Sequence, residues 1–239
     1  MSHEINEAIF ELIRLGRVTS ASLLANAPAT QEATRNVPKF PGCSFGAHLN
    51  ICQYAPLTNL SSLQGQVDED GEMSSFPVGF RFTVAALRAI YAEYSVQLES
   101  LLAKGVPIDH LDTHMHVHYR PALFPVMKAL QRRYGIRGVR TSAGIPSSRR
   151  GGILTQTKRS VYHWAVRNTC ETATTEAVAD LSTFIARGRE QHPGCRTVEL
   201  IAHPSNPYYP DDLRLLLSPW KEELPFPVRF VSYRQLSVA

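Results

Sequence analysis

Segments with a helical repeat of apolar residues alternate along this chain with segments of strand character, and such alternation restricts the fold to α/β with parallel βαβ units. At the start, Ile5, Ala8, Ile9, Leu12 and Ile13 share one face of a helix over residues 4–15, and Gly16 stands where a left-handed C-terminal cap belongs. Residues 18–25 read as a buried strand, and 28–35 as a short helix with Pro28 suited to its first turn. A strand over 44–51 follows, with Phe45, Ala47, Leu49 and Ile51 on one face and Gly46, His48 and Asn50 on the other. His48 is thereby turned away from the aliphatic layer.

Residues 53–80 lack clear periodicity and include Asp68-Glu69-Asp70-Gly71; a loop that long in a compact domain is usually functional or mobile. A long helix over 83–104 turns Val84, Leu87, Ile90, Tyr91, Tyr94, Leu98 and Leu101 inward and stops at Gly105. The pattern then predicts a strand from 108 to about 114, a helix from Pro121 to Tyr134 stopped by Gly135, and a short strand at 138–142. Helices at 158–168 and 175–190 precede a strand at 197–203. Short helical pieces at 212–217 and 220–224 lead to a last strand at 228–233.

With 239 residues, 44% of them hydrophobic, the chain can bury one sizeable core, so a single domain over 1–239 is expected. The net charge is only +4, and the basic residues are scattered apart from short pairs such as Arg132-Arg133, which excludes a nucleic-acid footprint. No window is apolar for long enough to span a bilayer and no leader pattern opens the chain, so a cytoplasmic protein without membrane attachment is expected. Cys43, Cys52, Cys170 and Cys195 are too dispersed for a metal or disulfide framework and read as reduced structural thiols.

Functional residues of parallel α/β folds collect where strands end and loops begin. His48, the His114 region, Arg140 and His203 all stand at or near the carboxyl ends of separate predicted strands. Within His110-Leu-Asp-Thr-His-Met-His-Val-His118, four histidines other than His48 share one parity with Asp112, so a strand extended throughout would carry all of them on one face. Two readings stay open: a polar strand edge with hydrogen-bonded histidines, or a hydrolytic metal site built from neutral imidazoles, with His116 or His118 as alternatives to His114. Arg140 could hold a substrate oxygen or be a surface arginine, and His203 could protonate a leaving amine or cap a proline turn. Asp211-Asp212 reads as a helix N-terminus.

The same residues carry a family pattern. Gly46-Ala-His48-Leu-Asn50, the histidine run from His110 to His118 with Pro121 after it, Gly138-Val-Arg140 and Glu199-Leu-Ile-Ala-His203-Pro204 resemble, in order, the motifs of the YdjC-like (ChbG/HpnK) carbohydrate deacetylases. That resemblance implies a TIM-barrel-like (β/α) barrel and a divalent ion, Mg2+ or Zn2+, held by one aspartate and two histidines. By motif the histidine ligands would be His48 and His114, with His203 and Arg140 as catalytic groups. The implied reaction removes N-acetyl groups from amino sugars or chito-oligosaccharides, and a homodimer is compatible with it.

In this family a strand ending in Asp-Asp-Phe-Gly precedes the first helix and supplies the aspartate ligand, whereas this sequence begins at Met1-Ser2. The expectation is therefore an incomplete or distorted barrel lacking its first strand, with impaired activity. Asp112 is a conceivable substitute, better placed to support the histidines from behind. The rivals are a non-catalytic sugar-binding or scaffold homologue and a metal hydrolase of another amide or ester.

Overall fold

The computed structural model of the chain describes residues 1–59, 63, 66–76, 79–145 and 153–238. It is an α/β fold with helices α1 (His3–Arg14), α2 (Thr30–Asn36), α3 (Val84–Ala103), α4 (Phe124–Tyr134), α5 (Ile153–Arg167), α6 (Leu181–Glu190) and α7 (Asp212–Leu217). The strands are β1 (Ser20–Leu23), β2 (Ser44–Leu49), β3 (Ile108–Thr113), β4 (Gly138–Val139), β5 (Ala177–Asp180) and β6 (Val198–Ile201). None of the described helices is long and apolar enough to cross a membrane. Two compact units divide the chain: Met1–Ser2 with Ala21–Arg137, and His3–Ser20 with Gly138–Ala239.

In the first unit β1, β2 and β3 lie side by side in that order, with β1 outermost. β2 and β3 run parallel, with Gly46 opposite His110, His48 opposite Asp112 and Leu49 opposite Thr113. Both faces of β2 are covered, so every residue of it except His48 is buried. The Thr83 side chain accepts the Ala86 N–H at the start of α3 and so satisfies one otherwise unpaired donor. Ile90, Tyr94, Leu98 and Leu101 then form the apolar stripe of α3, each no more than 1% exposed. Fully burying an aliphatic side chain contributes about 1.5–3 kcal/mol, so this stripe anchors the helix.

The predicted inward set was incomplete in both directions. Val84 is exposed, while Glu93 and Gln97 are buried on the same stripe. α4 ends as expected on Gly135, whose φ of +66° needs a residue without a Cβ. The start of the segment after β2 is held at residues 50–58: Asn50 Nδ2 donates to Gln53 O at 2.6 Å, and the Leu57 and Thr58 N–H groups donate to the Glu93 carboxylate. Asp68-Glu69-Asp70-Gly71 forms a tight turn in which Asp68 Oδ1 accepts the N–H groups of Asp70 and Glu72. That acidic run is turn chemistry. Burial pushes the Cys52 thiol up to about 11, so it stays protonated near neutrality and behaves as a structural thiol.

Gly46 is required by close approach. A Cβ there would stand 2.4 Å from Nε2 of His110, whose ring is only 2% exposed. Gly46→Ala must displace that ring, and overpacking of this kind costs about 1–3 kcal/mol. A lowered melting temperature is expected; an unchanged one would show that the ring moves aside without penalty.

In the second unit β5 and β6 run parallel with Ala177 opposite Val198 and Asp180 opposite Ile201. Parallel bridges from Gly138 to Ala173 and from Gly144 to Val178 extend the ladder. Its core gathers Leu12 of α1 with Ile145, Ala177, Leu181, Phe184, Ile185, Leu216 and Trp220. The helix expected over 175–190 begins only at Leu181, because 177–180 is the strand β5. Ala177 and Ala179 face inward, and alanine suits a helix as readily, so only the partner strand β6 distinguishes the two. No strand forms among the described residues 227–232. Instead the Val231 carbonyl accepts the Thr19 hydroxyl at 2.8 Å, and the Tyr233 N–H donates to Ser20 Oγ at 3.1 Å. A Ser232–Gln235 capping box then closes a single turn over Tyr233–Gln235.

Candidate functional site

His48 and Asp112 occupy opposed positions near the carboxyl ends of β2 and β3. Nδ1 of His48 stands 2.9 Å from Oδ2 of Asp112, whose side chain is 1% exposed, whereas His48 keeps 20% exposure. Imidazole–carboxylate pairs of this kind often stand behind metal-bound histidines, where the carboxylate fixes the tautomer and leaves the other ring nitrogen as a donor. The His114 ring meets the His48 ring edge to face, with centroids 5.5 Å apart and planes at 74°.

The remaining histidines of the run part company because the chain leaves the strand at Thr113. Met115 and His116 take φ values of 53° and 52°, a left-handed turn unusual for side-chain-bearing residues. That turn removes His116 and His118 from the face of Asp112. His118 folds back, with Nδ1 2.6 Å from Thr113 Oγ1, and is 3% exposed. His116 stacks on Tyr119 at 5.1 Å. Of the run beyond Thr113, His114 is the histidine whose ring adjoins His48. Among the described residues no three His, Cys, Asp or Glu side chains converge as a ready ligand set, so His48 and His114 offer two donors and Asp112 backs the first.

Arg140 is 9% exposed and is no surface arginine. Its Nε and Nη2 both reach Oε1 of Glu199 on β6 at 2.8 Å, while the Tyr233 hydroxyl donates to Oε2 at 2.5 Å. His203 follows β6, and its backbone N–H donates to Asp212 Oδ2 at 2.7 Å. Its Nδ1 lies 3.8 Å from the same oxygen, and its ring stacks on Tyr209 with centroids 4.1 Å apart. Asp212 begins α7, so the expected helix-start aspartate also holds the His203 backbone N–H.

Sequence reading missed a buried polar group behind His48. The Asn50 N–H donates to Gln97 Oε1 at 2.8 Å, and Gln97 Nε2 donates to Asn50 O at 2.6 Å and to Glu93 Oε1 at 2.7 Å. The strand end carrying His48 is thus tied to α3. The available signal was a glutamate and a glutamine four residues apart on an otherwise apolar stripe.

The sequence model of the YdjC-like protein family matches residues 1–224. The carbohydrate deacetylase of Geobacillus stearothermophilus is 39% identical over 144 residues, covering 59% of this chain and 56% of that protein. That of Halalkalibacterium halodurans is 30% identical over 145 residues, 57% of each. The carbohydrate deacetylase of Listeria monocytogenes is 28% identical over 215 residues, 88% of this chain and 78% of its own. The matched stretch therefore spans about half the length of the first two relatives. A solved structure from Enterococcus faecalis, described provisionally as a cellobiose-phosphate cleavage protein, is similar in fold, with a TM-score of 0.73 at 20% identity over 99% of this chain and 94% of that one. With the family pattern running from its first residue to residue 224, the chain belongs to the YdjC-like protein family.

Proposed function

We propose that this chain is a metal-dependent hydrolase that removes N-acetyl groups from amino sugars or chito-oligosaccharides, on a (β/α)-barrel scaffold, with His48 and His114 as ligands of a divalent ion. The observation that carries this reading is the His48 imidazole, held at 2.9 Å by a buried carboxylate and adjoining a second imidazole. Two imidazole donors suit Zn2+ better than Mg2+, which prefers oxygen. When bound, such an ion polarises an acyl oxygen and lowers the pKa of a bound water.

The chain's own residues have distinct tasks in this reading. Asp112 fixes the orientation of His48. His203, held at its backbone by Asp212 and stacked on Tyr209, delivers the proton to the departing amine. Arg140, fixed in place at two nitrogens by Glu199, is the guanidinium donor for a developing oxyanion. The related carbohydrate deacetylases support the acetylated-sugar substrate.

Acetate release from N-acetylated chito-oligosaccharides, with chelator and with Zn2+ or Mg2+ restored, tests the proposal. Chelator-sensitive release that returns with metal is the expected result; release indifferent to chelator would refute it. A catalytic ion commonly has three protein ligands, one more than the two imidazoles. An N-terminal strand ending in Asp-Asp-Phe-Gly, added before Ser2, would by the family pattern bring a ligand and a base. It is expected to raise the rate by about 10²–10⁴, the usual worth of a positioned base. Equal rates for both versions would assign the base to a carboxylate of this chain, with Asp112 the first to test. Sugar binding without acetate release by either version would identify a non-catalytic homologue.

A further inference from the structure

One pleat below the His48–Asp112 pair, the same face of β2 and β3 carries Gly46 and His110, again opposite one another. The missing side chain at Gly46 lets the His110 ring lie across β2 and reach the next strand. Its Nε2 stands 3.2 Å from Ser22 Oγ on β1. On its other side Nδ1 stands 2.6 Å from Asp109 Oδ1, which also accepts the Ser44 hydroxyl at 2.5 Å. A carboxylate only accepts, so the hydrogen-bond pattern assigns the ring proton to Nδ1 and leaves Nε2 to accept from Ser22. The group therefore ties β1 to β3 over the top of β2.

Serine, histidine and aspartate stand here in the order of an acyl-transfer triad. Yet His110 is 2% exposed and its ring is wedged against Gly46, so it has no path for handing a proton to a substrate. What it can do is hold geometry. Successive side chains on one face of a strand are about 6.5–7 Å apart, so the ring forms the floor beneath His48 and Asp112. Metal–ligand bonds tolerate errors of about 0.2 Å; small shifts of β2 against β3 at the floor would be felt one pleat above.

We propose that Ser22, His110 and Asp109 form a relay around the buried His110 ring, admitted by Gly46, that positions His48 and Asp112 for metal binding. They are positioning residues, and the proposal rests on the metal reading above. The test compares Ser22→Ala, Ser22→Thr and a core variant of the same unit, Leu130→Ala, in the full chain. Zn2+ affinity is measured by competition with a chromophoric chelator, and the His48 ring nitrogens are followed by NMR in metal-free protein.

Ser22→Ala is expected to weaken Zn2+ binding about tenfold, the low end of the effect of losing an outer partner of a ligand, and to shift or broaden the His48 ring signals. Ser22→Thr should restore both, while Leu130→Ala should lower the melting temperature and leave both unchanged. Wild-type values for Ser22→Ala would overturn the proposal, as would an equal loss in Leu130→Ala, which would make the effect one of general destabilisation. Covalent labelling of Ser22 by a fluorophosphonate would overturn it in favour of a nucleophile. If the wild-type chain bound no Zn2+, the metal reading would fail by itself, and the NMR comparison would still decide whether the relay positions His48.

Discussion

Replacing His48 or His114 by alanine is expected to abolish chelator-sensitive acetate release and to weaken Zn2+ binding by more than the 10–100-fold that losing an outer partner costs, taken as an order-of-magnitude range of about one to two decades. Each substitution removes one of the two imidazoles that adjoin, and neither ring lies in the apolar core. Asp112→Asn should fall within that lower range, because the side chain keeps its shape behind His48 Nδ1 and loses its charge. His118→Ala, by contrast, removes a buried ring bonded to Thr113 and should act on stability alone. Zinc titration and metal content of the purified variants separate these cases. Undiminished Zn2+ affinity in His48→Ala would remove the imidazole pair from consideration as a metal site.

The second large effect is expected at Arg140. Its side chain and that of Glu199 are 10% and 12% exposed, and both Arg140 nitrogens that bond Glu199 fall on one carboxylate oxygen. Arg140→Ala leaves a largely buried carboxylate whose remaining partner among the described residues is the Tyr233 hydroxyl. Breaking a buried pair by removing one partner costs about 3–5 kcal/mol, which for a chain of this size corresponds to a fall in melting temperature of about 6–20 °C. Replacing both partners together, as Arg140→Met with Glu199→Leu, should recover most of that loss. A double variant as unstable as the single one would mean that Tyr233, rather than charge pairing, accounts for the cost. Because the stability change is large, activity of Arg140 variants is informative only at temperatures where they remain folded.

Local chemistry made much of this fold readable in advance. The start and stop of α3 and the stop of α4 rest on Thr83, Gly105 and Gly135, whose effects act within one turn of the chain. The alternation in β2 correctly turned His48 away from Phe45 and Leu49, since a strand's period of two is a property of its own backbone. By the same logic Asp112 could be assigned a supporting place behind a histidine.

Other features had no local signature. Residues 177–180 hold two alanines and could join a helix; only pairing with β6, some twenty residues on, makes them a strand. Residues 228–233 have strand composition, but Thr19 and Ser20 take up the Val231 carbonyl and the Tyr233 N–H instead. Glu93 and Gln97 look like solvent-facing helix residues until Asn50, Leu57 and Thr58 arrive to use them.

By itself the amino-acid sequence determined the α/β class, the order of most elements, the family pattern and the histidines worth watching, because periodicity, caps and motifs are written in neighbouring residues. Only the tertiary structure decided which histidine adjoins His48, since that depended on a left-handed turn at Met115 and His116 that ends a strand the parity pattern would have continued. It also decided that Arg140 is bound to Glu199 and that His110 crosses Gly46 to Ser22. Those partners lie 59, 64 and 88 positions apart respectively, and contacts at such separations follow from how strands are laid side by side rather than from any local preference of the chain.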